Sequence, residues 1–307
     1  MTAKRLAFVF PGQGSQFVGM GKDLAEGLEG ARTLLAHMND ALGRDLSRVM
    51  FEGPEDELKL TVNTQPAVLA CSVALFDALA ARGIKPSVVA GHSLGEYAAL
   101  YASGALAFDA VLGLVKLRSE LMQNAYNICP GSMAAVLGID DEKLNEICAQ
   151  SGGKVVVANY NAPGQTVISG EVEALAATIE KCKAAGAKRA LPLPVTGAFH
   201  SPLMAEPNRQ LSAMIDTVTF ADAMIPIVMN VDGAAHTTGA DICETLRPQM
   251  TSSVMWTKSI HAIIDSGVDA IVEVGPGKVL AGLIKRINKD VPVHNVGSLA
   301  ELEALSL

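Results

Sequence analysis

The sequence predicts an α/β protein, with a large part built on parallel strands and a small unit set into it. Three observations point there. Short apolar, β-rich runs alternate along the chain with longer helical patterns. Hydrophobic residues make up 50% of the 307 but aromatic residues only 4%. Ala, Val, Leu, Ile and Met must therefore fill the core, which suits buried parallel strands covered by helices. In the middle of the chain the order becomes strand–helix–strand–strand–helix–strand, the pattern of a ferredoxin-like unit.

Taken in order, Leu6 to Phe10 reads as the first strand, and a glycine-rich loop, Pro11 to Gln16, follows it. A helix is expected from Gln65 to Arg82, with Asn63 and Thr64 as capping candidates and Gly83 closing it. Ser87 to Ala90 is a short strand, Leu94 begins a helix, and Asp109 to about Tyr126 reads as another. The middle unit has strands at Ser132–Ile139, Lys154–Tyr160, Gln165–Ser169 and Lys188–Leu193. Its helices are expected at Asp141–Gln150 and Glu171–Ala185. Pro130-Gly131 on one side, and Pro192 with Pro194 on the other, punctuate its ends. This gives a small domain at 130–195 inside a large one at 1–129 and 196–307. The large part resumes with a helix at Pro202–Asp216, a strand at Ile225–Met229 and a helix at Trp256–Ser266. A strand at Ala270–Val274 then leads through Gly275-Pro276-Gly277 into a helix ending at Ile287.

Composition narrows the functions on offer. A formal charge of −8 speaks against a general nucleic-acid binder, which needs a basic face for phosphates. Two local basic groups remain, Lys181, Lys183, Lys188 and Arg189, and Lys285, Arg286 and Lys289. Each reads either as a solvated helix face or as a docking patch. Five cysteines without a C-x-x-C pair imply neither a disulfide framework nor a zinc site, and fit a reducing compartment. The apolar run at Leu6–Phe10 is too short for a secretion signal, and Asp77 interrupts the one near Ala67–Phe76. A soluble, cytoplasmic, monomeric chain without membrane contact is expected.

The strongest local signal is Gly91-His92-Ser93-Leu94-Gly95, which fits G-x-S-x-G between an apolar strand and a helical pattern. Glycines on both sides relieve crowding in a sharp strand-to-helix turn, so that the serine oxygen projects from the strand end. The helix N-terminus offers backbone N–H groups and a positive dipole end to a developing oxyanion. A glycine-flanked turn with a capping serine is the plainer reading.

Such a serine needs a base. His92, next in sequence, points away from the serine's direction and reads as structural. His37, His236, His261 and His294 lie in no motif. His200 lies in Gly197-Ala198-Phe199-His200-Ser201-Pro202, and on local features alone it is a residue of a helix-cap region. Two other motifs fail. Phe17 stands where a dinucleotide fingerprint needs its third glycine, and Val279 follows Lys278 where a phosphate-binding loop needs Ser or Thr.

Five stretches together carry a resemblance: Phe10 to Gln16 (Phe-Pro-Gly-Gln-Gly-Ser-Gln), Gly91 to Tyr97 (Gly-His-Ser-Leu-Gly-Glu-Tyr), Asn159 to Gln165 (Asn-Tyr-Asn-Ala-Pro-Gly-Gln), Ala198 to Ser201 (Ala-Phe-His-Ser) and Glu273 to Gly277 (Glu-Val-Gly-Pro-Gly). In this order, over nearly the whole chain, they resemble the malonyl-CoA:acyl carrier protein transacylases. The resemblance implies an α/β-hydrolase-like large domain with an inserted ferredoxin-like one. It implies Ser93 as nucleophile, His200 as base, and the backbone N–H groups of Gln13 and Leu94 as oxyanion hole. It matches Arg118 to an arginine that pairs with the malonyl carboxylate, and Gln249 to the residue whose backbone carbonyl orients the histidine.

Physical chemistry agrees with parts of this. A planar guanidinium holds a carboxylate through two parallel hydrogen bonds, although Arg118 taken alone reads as a surface helix residue. Met122 lies one helical turn on and is expected to line the pocket. The resemblance associates Phe199, before the histidine, with malonyl rather than methylmalonyl groups. A pocket discriminates one such methyl by about 1–3 kcal/mol.

The expected reaction is transfer of malonyl from malonyl-CoA to the phosphopantetheine thiol of acyl carrier protein, without metal or redox cofactor. A serine thioesterase with the same elbow, and a carrier-binding module with a dead site, are the rival readings.

Overall fold

The computed structural model describes residues 4–195 and 197–306. The expected domain limits at residues 1, 196 and 307 fall outside the described residues.

Among those described there are ten strands. They are β1 (Leu6–Phe10), β2 (Val88–Gly91), β3 (Gly131–Leu137), β4 (Val155–Ala162), β5 (Gln165–Glu171), β6 (Arg189–Pro192), β7 (Ile227–Val228), β8 (Ala235–His236), β9 (Ala270–Val274) and β10 (Val293–Val296). Six of them form one sheet in the order β10-β9-β1-β2-β7-β8. All its pairs are parallel except the short β7–β8 edge. β1 and β9 are buried along their whole length, which explains their unbroken apolar sequences. Period-two alternation sends Leu6, Phe8 and Phe10 into one core cluster, and Ala7 and Val9 into another with Trp256, Ile260 and Leu280. Helices thus cover both faces.

The Thr61–Ala81 helix packs on the first of these faces and starts one turn earlier than expected. Pro66 sits inside it, so Asn63 and Thr64 are not caps. The carbonyl of Val62, four residues back, accepts instead from Arg44 Nη2 at 2.6 Å. The same helix is long and apolar enough to cross a membrane by length and composition, against the expectation that no such segment exists. Most of it is buried inside the protein.

Four helices before it, Lys22–Gly27, Glu29–Leu42, Leu46–Glu52 and Glu55–Lys59, were not read in the sequence. Neither were Gly239–Leu246, Leu299–Ala304, β8 and β10. The helix expected over 109–126 runs from Phe108 to Gln123, with a separate turn at Ala125–Ile128. That expected at 202–216 opens with a 3-10 turn, Pro202–Met204, and continues as Ala205–Ile215.

The middle segment forms a second, antiparallel sheet in the order β4-β5-β3-β6, the ferredoxin-like arrangement. Its helices, Asp141–Ala149 and Val172–Ala184, bury Ala134, Val136, Val157 and Ile168 on one face. Alternation turns Met133 and Val167 to the other face, where they line a cleft against the large sheet. A parallel bridge between Asn159 and Val254 stitches β4 to the large part. The cleft opens beyond the carboxyl end of β1, between β2 on one side and β9 on the other. Parallel α/β sheets bind ligands at such topological switch points.

Candidate active site

Ser93 follows β2 and precedes the Gly95–Ala102 helix. Its φ of 52° lies in the left-handed region, which costs a non-glycine residue about 1–3 kcal/mol unless its surroundings enforce it. Three hydrogen bonds enforce it here. The Gly95 N–H donates to the His92 carbonyl at 2.9 Å. The Ser93 N–H donates to Asn230 Oδ1 at 2.7 Å, and Asn230 Nδ2 donates to the Gly91 carbonyl at 2.6 Å. The flanking glycines are steric necessities. A Cβ on Gly91 would lie 1.9 Å from the Gly95 backbone, and one on Gly95 would lie 2.0 Å from the Phe10 carbonyl oxygen.

The loop after β1 crosses directly over this turn, because a Cβ on Gly12 would meet the His92 carbonyl oxygen at 2.5 Å. Gln13 and Leu94 therefore border the same end of the cleft. Neither backbone N–H donates to a protein acceptor among the described residues. The tight turn at Gly275–Gly277 packs against the β1 loop at Ser15. It is set by Glu273, whose buried carboxylate accepts from the N–H groups of Leu280 and Ala281 at 3.0 and 2.8 Å.

His200 also has a left-handed backbone, with φ of 56°. Its Nε2 lies 2.7 Å from Ser93 Oγ. Its Nδ1 faces the carbonyl oxygens of Gln249 at 3.0 Å and Ser252 at 3.2 Å. Carbonyls only accept, so the ring proton belongs on Nδ1 and the Nε2 lone pair faces the serine hydroxyl. Among the described residues no carboxylate bonds to this ring. Burial pushes the imidazole down to about 3, and the positive charge of Arg118 adds to the effect.

Arg118 corrects the reading it invites alone, because it is fully buried rather than a surface residue. Its Nη1 donates to Gln65 Oε1 at 2.8 Å, and its Nη2 to Ser93 Oγ at 3.0 Å and Gln249 Oε1 at 3.1 Å. The guanidinium lies over the Tyr97 ring, 5.4 Å from its centre. All three hydrogen-bond partners are neutral, and burial disfavours its charge. Met122 and Phe199 line the cleft, which encloses about 230 Å³, and the Met122 sulfur accepts from Gln65 Nε2 at 3.2 Å.

His92 borders the cleft without bonding to Ser93 Oγ. Its Nε2 pairs with Asn161 Oδ1 at 2.8 Å and its ring rests edge-on to Trp256. His37, His236, His261 and His294 lie away from the cleft. Among the described residues no three His, Cys, Asp or Glu side chains gather to hold a metal ion, and the five cysteines are free.

Sequence reasoning missed Gln65, Glu96, Asn230 and Ser252. Glu96 carried a readable signal, a carboxylate in an otherwise apolar helical turn, Tyr97-Ala98-Ala99-Leu100. Of the other three, Gln65 lies inside the Thr61–Ala81 helix and Asn230 and Ser252 in turns, with nothing local to mark them.

A serine on a strand–helix elbow, hydrogen-bonded to a neutral histidine and to a buried arginine, is the arrangement of a serine enzyme. Comparison with known proteins gives the family. The acyl transferase domain family matches residues 7–301. The malonyl CoA-acyl carrier protein transacylase of Bacillus subtilis is 44% identical over 288 residues, covering 93% of this chain and 91% of that protein. A crystal structure of an acyl carrier protein S-malonyltransferase from Vibrio cholerae is 42% identical, with a TM-score of 0.95 over 98% of this chain and all of that one. A malonyl-transacylase solved in complex with a type II PKS acyl-carrier protein is 40% identical, with a TM-score of 0.94 over 98% of each chain. This chain belongs to the acyl transferase family, and within it to the malonyl CoA-acyl carrier protein transacylases.

Proposed function

We propose that the protein carries malonyl from malonyl-CoA to the phosphopantetheine thiol of acyl carrier protein through a malonyl-Ser93 intermediate. One observation carries this reading. A base and a carboxylate-binding cation converge on a single serine oxygen, with His200 Nε2 at 2.7 Å and Arg118 Nη2 at 3.0 Å.

In the first half-reaction Ser93 Oγ adds to the thioester carbonyl as its proton passes to His200 Nε2. The N–H groups of Gln13 and Leu94 stabilise the oxyanion. The C–S bond breaks, and His200 returns the proton to the departing CoA thiolate. In the second, the carrier thiol gives its proton to His200, its sulfur attacks the malonyl ester, and Ser93 Oγ leaves and is reprotonated. Arg118 holds the malonyl carboxylate throughout. Burial is the main cause of the lowered His200 pKa, and the malonyl carboxylate offsets only the smaller contribution from the Arg118 charge. The Gln249 carbonyl, with that of Ser252, keeps the tautomer, while Met122 and Phe199 limit the acyl group's size. No metal or redox cofactor takes part.

The same reading divides the chain into a small domain at 130–195 and a large one at 1–129 and 196–307, working as a cytoplasmic monomer. The carrier docks on Lys181, Lys183, Lys188 and Arg189, all exposed. The cleft-lining Leu193 lies about 13 Å along the chain from Arg189.

Incubation with malonyl-CoA followed by intact-mass and peptide analysis tests the reading. A persistent malonyl group on Ser93 is expected. Rapid release of free malonate would mean a hydrolase, and no adduct a binding module. Arg118→Ala should cut malonyl loading on the order of 100-fold while sparing acetyl loading; equal losses would remove the clamp.

A further inference from the structure

Glu96 is fully buried, and the steps above leave it unused. Its Oε1 accepts the Asn230 backbone N–H at 2.6 Å, and its Oε2 accepts from the Gln249 side-chain amide. Each partner holds one half of the site. The Asn230 side chain spans the elbow from the Ser93 N–H to the Gly91 carbonyl. Gln249 donates to the Ser93 carbonyl at 3.0 Å, accepts from Arg118 Nη2, and gives its backbone carbonyl to His200. We propose that Glu96 is a positioning residue for acyl transfer, an ionised carboxylate that holds the serine turn through Asn230 and, through Gln249, the histidine's seat and the arginine.

Gln249 lies between a guanidinium, which only donates, and a carboxylate, which when ionised only accepts. Its amide therefore has a single orientation, oxygen toward Arg118 and nitrogen toward Glu96. An amide or a protonated acid at position 96 can put a donor where Gln249 needs an acceptor. Turning Gln249 over then moves the clash to Arg118. Both hydrogen bonds that reach Glu96 come from donors, so the ionised form is the one the geometry fits.

The charged and titratable groups facing Glu96 are Arg118 on the Phe108–Gln123 helix, Asp232 in the turn after β7, and Tyr97 on its own helix. His200 stands beyond Gln249. Burial pushes the carboxyl up to about 7, against the two donated hydrogen bonds and the nearby guanidinium. Burial holds His200 at about 3. The acid side of the malonyl-loading profile is therefore the place to look for the Glu96 carboxyl, whose geometry fits only the ionised form.

The inference rests on the acyl-transfer reading, and its test separates the two. The measurement is kcat/KM for malonyl loading of the full chain from about pH 5 to about pH 9, at two temperatures, for wild type and Glu96→Gln. The wild type is expected to lose activity below about pH 7 at a position that hardly moves with temperature, as for a carboxyl. An imidazole's limb would shift. Glu96→Gln should be about 30-fold slower and flat across that range. A variant that keeps the wild-type rate, or keeps the acid limb, overturns the proposal, as does a limb that shifts with temperature. If thermal melting shows the variant unfolded, the wild-type temperature dependence decides alone. A wild type that never forms malonyl-Ser93 refutes the acyl-transfer reading itself, and this inference with it.

Discussion

The serine elbow and the histidine's seat reach the same backbone strain by different means. Ser93 and His200 have φ of 52° and 56° and meet at 2.7 Å. The elbow is held by close backbone contacts, Gly91 against Gly95 and Gly95 against Phe10, and by the Asn230 side chain. The seat is assembled from a distance. His200 reaches carbonyls 49 and 52 residues further on, and the atoms nearest a Cβ on Gly197 would be those of the Phe199 ring, at 2.5 Å. The serine half is set by backbone contacts that leave no room for a side chain, the histidine half by hydrogen bonds to distant carbonyls.

The sharpest way to break this comparison is to add the same methyl to each half. Gly95→Ala would put its Cβ 2.0 Å from the Phe10 oxygen and 2.7 Å from its carbonyl carbon. The strand end or the helix must move, at a cost of roughly 3 kcal/mol or more. Thermal melting should fall by about 6 °C or more, and acyl-enzyme formation should be lost as the Leu94 N–H shifts. Gly197→Ala meets a side-chain ring at 2.5 Å rather than backbone, and should cost less, about 1–2 kcal/mol. Equal melting losses for the two would erase the distinction.

This difference also decides what could be read without coordinates. The elbow was legible, because strand, glycines, serine and helix are consecutive. So was the small unit, because its strand order needs only local apolar patterns, and the resulting sheet does turn Met133 and Val167 to the cleft. His200 and Arg118 looked ordinary where they stood and rose only through the resemblance. Arg118 proved to be a buried cation seated on Gln65, Gln249 and Tyr97, three residues far apart in the chain. Asn230 and Ser252 are polar groups whose meaning exists only in three dimensions. The start expected at Gln65 lies one turn inside the helix, where Pro66 removes a backbone donor and Arg44 satisfies the Val62 carbonyl instead.

The histidine half can be probed through its linkage to pH. Folded His200 is held neutral down to about 3, against an ordinary value of 6.5. As pH falls below about 6.5 the unfolded chain takes up a proton that the folded chain refuses. His200's contribution to stability is thus full above that pH and drains away as pH drops toward 3. Between pH 7 and pH 5 this amounts to about 2 kcal/mol, or roughly 4 °C. Glu96 titrates in the opposite sense, its carboxyl raised to about 7, so the absolute curve mixes the two. The gap in melting temperature between wild type and His200→Gln isolates the histidine, and should narrow by that amount on acidification. A gap that stays constant would mean an exposed, ordinary imidazole.

The smallest expected effect asks which half of the site faces the carrier protein. Lys188 and Arg189 lie at the start of β6 in the small sheet, which leads toward the cleft-lining Leu193. The other basic group, Lys285 and Arg286, lies on the Val279–Ile287 helix, whose preceding turn packs against the β1 loop on the serine half. All four side chains are exposed, where charges act mainly on encounter and little on chemistry. Reversing Lys188 and Arg189 to glutamate should raise the KM for carrier protein about 3- to 10-fold at low ionic strength. The increase should shrink as salt screens the surface, and loading from malonyl-CoA should be unchanged. The same reversal at Lys285 and Arg286 should leave the carrier KM within about 2-fold. If the second pair gives the larger effect, the carrier enters over the elbow, and the serine half of the site is also the half that recognises the partner.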